Sequence, residues 1–551
     1  MIDQKRKPER LLTGLMVAVA AAYLITFGIL NFKGFARFGT GDIYQDVLLM
    51  QRIWQEKTLI PQGWHFSNQL YVLAPPTLSA LIYGVTGNVN LSCALATTVM
   101  GALSIAAFLW MLRAVTGRDR LAMAAGAALL TSYVFNENAA NPAYDWDPLV
   151  TRISDLGQLL FTTVSHYSTY FIALCLLWGW YLRAAFQHRR GRGMNVLFAV
   201  CVVLGFTTGM QSLRQLQIAI LPLLGVEVLR LAAASGWFRH GPGKENWAVT
   251  AKIALCTLAN LAGVAVFYAI TPLGGLSSVA VGQEDLARKA VGAYAGCKGA
   301  VNLQMPGKWV PGSGVLPLFY YALALAVAVF VVWALTRIPS GLGEAAACCG
   351  LFVASLLLTI LSMLFTSVGT ASRYLFLYWP LAAVAVAWGV TRLPQTGRRV
   401  AALLIAAFAV LNFWFSYKPL VTSCFDPEPL PQQQAADWLE KNGFDTVYGQ
   451  FWTVGPVGLA SNGAVEAGHW VFSNFYEISP YLTAEDLYTP RANDHAAYLF
   501  TQQDRDRGVQ AARKAGVELE FRAQVAEQYY LYTSPVQLMH HTPDAGRDSG
   551  Y

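Results

Sequence analysis

Charge is scarce in this chain: Asp, Glu, Lys and Arg make up 13% of the 551 residues, against 55% hydrophobic residues, and the mean hydropathy is +0.40. A soluble domain carries about a quarter charged residues, so the composition excludes a soluble globular fold and indicates a polytopic membrane protein. Cysteine is also sparse outside apolar segments. Of eight cysteines, Cys93, Cys175, Cys201, Cys256, Cys348 and Cys349 lie within apolar runs, where thiols behave as small apolar groups. Only Cys297 and Cys424 fall outside, where an oxidising compartment would leave a disulfide open to them. No Cys or His spacing matches a structural zinc site, and there is no internal repeat or long low-complexity segment. The net charge of +7 does not imply nucleic acid, because the basic residues cluster beside the ends of apolar runs, where they set topology.

Span-length apolar runs fall near 11–30, 90–112, 121–135, 159–182, 194–211, 213–232, 249–270, 315–336, 343–366, 371–391 and 399–417, about eleven transmembrane helices. The first follows "MIDQKRKPER" without a small-residue cleavage site, so it reads as a retained helix rather than a signal peptide. Basic clusters at Lys5–Arg10, Arg113–Arg120, Arg183–Arg192, Arg230–Lys244 and Arg392–Arg399 occupy alternate loops, which makes those loops and the N-terminus cytoplasmic. A further apolar stretch, residues 70–87, would invert every later loop if it crossed. With Pro75 and Pro76 interrupting its middle, it is expected to lie in the outer interface. The external loops are then 31–89, 136–158 and 271–314.

After Lys418 the composition changes to prolines, an amphipathic helix pattern and β-like runs, so 418–551 reads as a small extracytoplasmic α/β domain following a transmembrane module at 1–417.

Polar groups that suit chemistry gather on the external side. Asp42, Asp46 and His65 lie in the first loop, Asp145, Asp147 and Arg152 in "YDWDPLVTR", Arg214 in "GMQSLRQLQ", and Arg373 before a later span. Carboxylates beside arginines at a membrane surface suit a reaction in which a hydroxyl loses a proton while a phosphate leaves as an anion. Each group also has a structural role open to it. Asp42 can cap the helix that follows, Asp46 one turn on can simply be solvated or paired, Asp145 and Asp147 can serve a turn, and the arginines can meet ordinary headgroups.

The order of parts resembles the polytopic, lipid-phosphate-sugar-dependent glycosyltransferases of the GT-C fold, which include protein O-mannosyltransferases and the lipid A aminoarabinose transferases. "TGDIYQDVLLMQRIWQEKTLIPQGW" (40–64) resembles their early acidic motif after the first span. "APPTLSALIYGVTGN" resembles their proline-containing interfacial helix, and "RAVTGRDR" their short basic turn between the second and third spans. "YDWDPL" resembles their second acidic loop. The chain departs from the pattern in having Ile43 where a second acid is common and Ala74 where a histidine precedes the paired prolines.

The resemblance implies a membrane glycosyltransferase with a polyprenyl-phosphate sugar donor and a glycan, lipid or protein acceptor outside the cytoplasm. Asp42 would be the general base, with Asp145 or Asp147 orienting a substrate. Asp46, His65, Arg152, Arg214 and Arg373 would bind substrate. It fixes no cofactor and leaves a divalent cation open. Two other classes remain: a lipid-linked oligosaccharide polymerase or ligase, which would use the 271–314 loop, and a transporter or flippase of a lipid-linked or anionic substrate. The setting expected is a plasma membrane, bacterial in origin.

Overall fold

The computed structural model describes residues 2–66, 69–134, 160–162, 167–235, 244–270, 283–302, 315–338, 342–366, 369–470, 474–478, 482–488 and 496–540. The chain begins with α1 (Ile2–Lys33), then α2 (Gly41–Glu56), the short strand β1 (Trp64–His65) and α3 (Pro75–Thr86). Then come α4 (Val89–Thr116), α5 (Arg120–Ser132), α6 (Ser168–Ala185), α7 (Arg192–Gln211), α8 (Leu221–Ala234), α9 (Lys244–Ile270) and α10 (Gln283–Ala300). The helical part closes with α11 (Leu316–Arg337), α12 (Glu344–Phe365), α13 (Tyr378–Arg392), α14 (Gln395–Asn412) and α15 (Lys418–Ser423).

Among the described residues, nine helices are long and apolar enough to cross a membrane. Two of the eleven expected runs do not reach that standard. The run at 121–135 forms α5, with 13 residues and a length of about 20 Å, against a hydrocarbon core of about 30 Å. Beyond its C-terminal end, neighbouring side chains bond the backbone that leaves the helix: Asn412 donates to the Ser132 carbonyl at 3.0 Å, and the Val134 N–H donates to Tyr320 Oη at 3.3 Å. Such backbone is tolerated only when buried in protein. Within the run at 159–182, α6 (Ser168–Ala185) forms, in which Tyr170, Trp178, Trp180, Tyr181 and Arg183 lower the hydropathy. Surrounding helices bury these side chains, so α6 need not be as apolar as a helix that faces lipid. Large side chains turned outward on α7, α9, α11 and α14 include Val203, Leu258, Leu325 and Val410, which suits a lipid-facing perimeter.

The segment 70–87 holds a helix of 12 residues, about 18 Å and so shorter than a hydrocarbon core of about 30 Å, and its prolines act differently from expectation. Pro75 and Pro76 open α3 at its first turn, where their fixed φ and missing N–H cost nothing. Proline shapes two other sites. Before Pro222 and before Pro419 the chain widens into π-helical turns, Leu216–Ile220 and Phe413–Tyr417, since a proline supplies no N–H to the i−4 carbonyl.

The bundle has two chemically different ends. At one, Arg398 bonds both carboxylate oxygens of Asp119, at 2.7 and 2.8 Å, and Glu9 at 2.7 Å, joining the N-terminal helix, the α4–α5 turn and the α13–α14 turn. At the other, residues 69–74 of the first long loop meet the end of α7: the Leu70 N–H donates to the Gln211 carbonyl at 2.9 Å and the Leu73 N–H to Gln211 Oε1 at 2.7 Å.

A sheet domain caps this second end. It contains α16 (Pro431–Lys441), β2 (Thr446–Gln450), α17 (Phe451–Ala460), β3 (Glu466–Trp470), the two-residue β4 (Thr483–Ala484), β5 (Ala496–Thr501), α18 (Arg505–Lys514), β6 (Glu520–Val525) and β7 (Tyr529–Thr533). The strand order is β3-β2-β5-β7-β6, parallel in the first three and antiparallel beyond. Its core is continuous with the first long loop: Ile43, Tyr44, Leu48 and Trp64 share one apolar cluster with Val447, Val457, Ala467 and Tyr498. β1 pairs with β4, Trp64 opposite Ala484 and His65 opposite Thr483. All eight cysteines are free, so Cys297 and Cys424 are not bonded.

Candidate active site

Helix α2 begins after Thr40, whose extended backbone occupies the cap position. Asp42 therefore sits inside the first turn rather than at the cap, where the exposed backbone N–H groups favour a negative side chain. It is half-buried. Asp46, one turn on, shares its face and is buried. Met50 continues that face, its sulfur 3.7 Å from Cys93 Sγ on α4. Asp46 lies within electrostatic reach of Cys93 and of Asp42. Burial pushes the Asp46 carboxyl well above the usual carboxylate range, and the charge of Asp42 pushes it further. Asp46 is thus biased toward its neutral form relative to an exposed aspartate.

The structure brings two of the arginines together. Arg214, just beyond α7, lies over the rings of Tyr167 (4.5 Å to the centroid) and Tyr170 (5.4 Å). Arg373, on the 3₁₀ turn Ser372–Leu375, is within electrostatic reach of Arg214, as is Tyr374. The Arg214 N–H donates to Ser212 Oγ at 3.2 Å, and that hydroxyl is 2.8 Å from Tyr170 Oη. Gln211, three residues before Arg214, is the residue that anchors loop 69–74. The basic pair therefore lies at the end of the bundle that carries the Asp42 loop. Two like charges held near each other beside tyrosine side chains are chemically suited to an anion such as a phosphate.

His65 lies in β1, with Nε2 3.4 Å from Glu485, and this pair ties the first loop to the sheet domain. Asp145, Asp147 and Arg152 lie outside the described residues. Among the described residues no three His, Cys, Asp or Glu side chains converge as metal ligands would.

Several residues here escaped the sequence reading. Tyr167, Tyr170 and Tyr374 carry no motif, and their relation to Arg214 arises only from folding. The same holds for Tyr44, Gln45 and Arg52 on the other face of α2. The Ala467 N–H donates to Tyr44 Oη at 2.6 Å, Gln45 Nε2 is 3.5 Å from His469 Nδ1, and Arg52 bonds Asp486 at 2.9 Å and Glu466 at 3.3 Å.

No protein-family model and no curated protein sequence matches the chain. Solved structures do. The crystal structure of ArnT from Cupriavidus metallidurans in the apo state superposes with a TM-score of 0.56 at 10% identity, covering 96% of this chain and 99% of that one. The same protein bound to undecaprenyl phosphate superposes with a TM-score of 0.52 at 11% identity and the same coverage. At such identity the likeness speaks to fold alone, and it runs through the helical bundle and the sheet domain together: this chain has the polytopic GT-C fold of the aminoarabinose transferase ArnT.

Proposed function

We propose that this protein is a membrane glycosyltransferase that takes a sugar from a polyprenyl-phosphate donor and passes it to an acceptor hydroxyl outside the cytoplasm. The observation that carries this reading is the convergence of Arg214 and Arg373 at the end of the bundle where the Asp42 loop is anchored. It gains support from ArnT, of like fold, which has been crystallised with undecaprenyl phosphate.

On this reading the donor's phosphate sits against Arg214 and Arg373, with its chain along the apolar perimeter. Asp42 accepts the proton of the acceptor hydroxyl as that oxygen attacks the anomeric carbon. The bond from that carbon to the phosphate oxygen breaks, and polyprenyl phosphate leaves with its charge held by the arginines. A single displacement inverts the anomeric centre. Asp145 or Asp147 orients acceptor or donor, and Arg152 adds to the phosphate site. The residues up to 417 form the catalytic module and 418–551 an extracytoplasmic domain, with the N-terminus and the Arg398 end cytoplasmic, in a bacterial plasma membrane.

The test is transfer of labelled sugar in membranes supplied with a panel of polyprenyl-phosphate sugars, run beside Asp42→Asn. The variant is expected to insert normally and to lose transfer. Near-normal transfer by Asp42→Asn removes Asp42 from the reaction, and no transfer from any donor by the unaltered protein overturns the transferase reading.

A further inference from the structure

Helix α2 has two opposed faces. Asp42, Asp46, Met50 and Ile53 follow the i, i+4, i+8, i+11 spacing of one face, which turns toward α3 and α4 through Met50 and Cys93. Tyr44, Gln45, Leu48 and Arg52 fall on the other, and this face is bonded to the sheet domain. The bonds run along its length. Near the start, a Cβ at Gly455 of α17 would lie 2.6 Å from the Gly41 Cα, and one at Gly41 would lie 2.7 Å from the ring and carbonyl of Phe451 on the same helix. The Ala467 N–H of edge strand β3 donates to Tyr44. At the C-terminal end, the Arg52 guanidinium joins two separate pieces of the sheet domain, Glu466 at the start of β3 and Asp486 on the 3₁₀ turn Glu485–Tyr488, while Nη1 bonds Gln55 Oε1 at 3.2 Å.

We propose that the sheet domain is a clamp that fixes the rotation of α2 about its axis, with Arg52 as the positioning residue that transmits it to Asp42. This inference rests on the transferase reading for its catalytic half. A helical side chain ends about 5–6 Å from the axis, so turning α2 by only about 10° would move the Asp42 carboxylate by about 1 Å. A displacement of that size can cost about a hundredfold in rate. A helix of this length is marginal in isolation, and α2 is joined at both ends to irregular chain, so its rotation must be set from outside. Arg52 suits the task because its Nη2 meets two carboxylates on different elements at once while Nη1 of the same rigid plane is held by Gln55 of α2. The geometry also gives the sheet domain a role in turnover without placing any of its residues at the reacting atoms.

The test uses the full-length protein in detergent or nanodiscs and two readouts: steady-state transfer, and amide hydrogen exchange over residues 44–53. Arg52→Gln is expected to lower kcat by about tenfold or more while leaving KM for the lipid donor within about twofold, and to speed exchange in α2. Arg52→Lys, which keeps the charge, is expected to recover part of both. Asp486→Asn alters only the half-exposed partner and should shift both readouts in the same direction by less, so it serves if Arg52→Gln fails to accumulate. Unchanged exchange in Arg52→Gln overturns the clamp. Faster exchange with unchanged kcat overturns the positioning role. Absence of transfer by the unaltered protein sinks the transferase reading and the catalytic half together, while exchange still decides the clamp.

Discussion

The guanidinium of Arg214 lies over Tyr167, 4.5 Å from the ring centroid, with Arg373 close enough to be felt as a second positive charge. The ring stabilises the cation by about 0.5–2 kcal/mol without neutralising it, and on the proposed transferase reading this holds the arginine in place for the donor's phosphate. Arg214→Ala should therefore raise KM for the lipid-phosphate donor by about tenfold to a hundredfold, the worth of a charged hydrogen bond at about 1.5–3 kcal/mol. Arg214→Lys should recover only part, having lost the fork that matches a phosphate. Steady-state kinetics with varied donor decide it, and an unchanged KM in the alanine variant would remove Arg214 from the phosphate site.

Asp46 gives the protein a pH-dependent stability term. Its folded-state pKa is raised above the unfolded value by burial and then by Asp42. Between those two values the folded chain holds the proton that the unfolded chain has lost, so stability is full below the unfolded pKa and declines as pH rises through the window, by up to about 1.4 kcal/mol per pH unit. Asp46→Asn removes that slope. Its thermal midpoint in detergent, measured from about pH 4 to about pH 8, should gain on the unaltered protein as pH rises, and parallel curves would count against a protonated Asp46.

The crossing of α2 and α17 depends on two glycines. A Cβ added at Gly455 would lie 2.6 Å from the Gly41 Cα, an atom that cannot swing aside. Gly455→Ala should cost about 1–3 kcal/mol by overpacking, and Gly455→Val more. Thermal unfolding and protease resistance of the sheet domain would both fall if the contact holds the domain to the bundle.

A buried ion pair at the other end of the bundle makes a sharp contrast in stability. Arg230 bonds both oxygens of Glu227 at 2.7 Å and Asn246 at 2.6 Å, while Tyr181 and Thr250 donate to the same carboxylate at 3.0 and 2.5 Å. Glu227→Ala leaves the arginine buried without its partner and should cost about 3–5 kcal/mol, whereas the pair Glu227→Leu with Arg230→Met should cost far less. Equal losses in the two proteins, measured by thermal unfolding, would contradict this account.

Most of the helical architecture was legible because nine of the expected spans are governed by a local rule: enough consecutive apolar residues to cross hydrocarbon. At α5 and α6 the described helices fall short of that rule, for a common reason. Both are covered by protein, so neither has to meet the length or apolarity that lipid demands of an exposed helix. The prolines were misplaced for a different reason. Pro75 and Pro76 read as breakers by type, but only the cap geometry at Ala74 shows that they start α3. The candidate site was half legible. Acids and arginines could be gathered on one side from topology, which made Asp42, Asp46, Arg214 and Arg373 candidates, yet His65 engages Glu485 of a domain far along the chain, a pairing no local pattern encodes.

By itself the sequence determined that this chain lives in a membrane, where nine of its apolar helices run, and that a mixed α/β domain follows them, because hydrophobic transfer and backbone hydrogen bonding act over stretches of some 20 residues. Tertiary structure alone decided that Arg214 lies near Arg373 and over tyrosine rings, that Asp46 is buried, and that the sheet domain is bonded to α2 through Arg52. Each is a relation between chain segments far apart, set by how helices and sheet pack, and packing is a property of the whole chain.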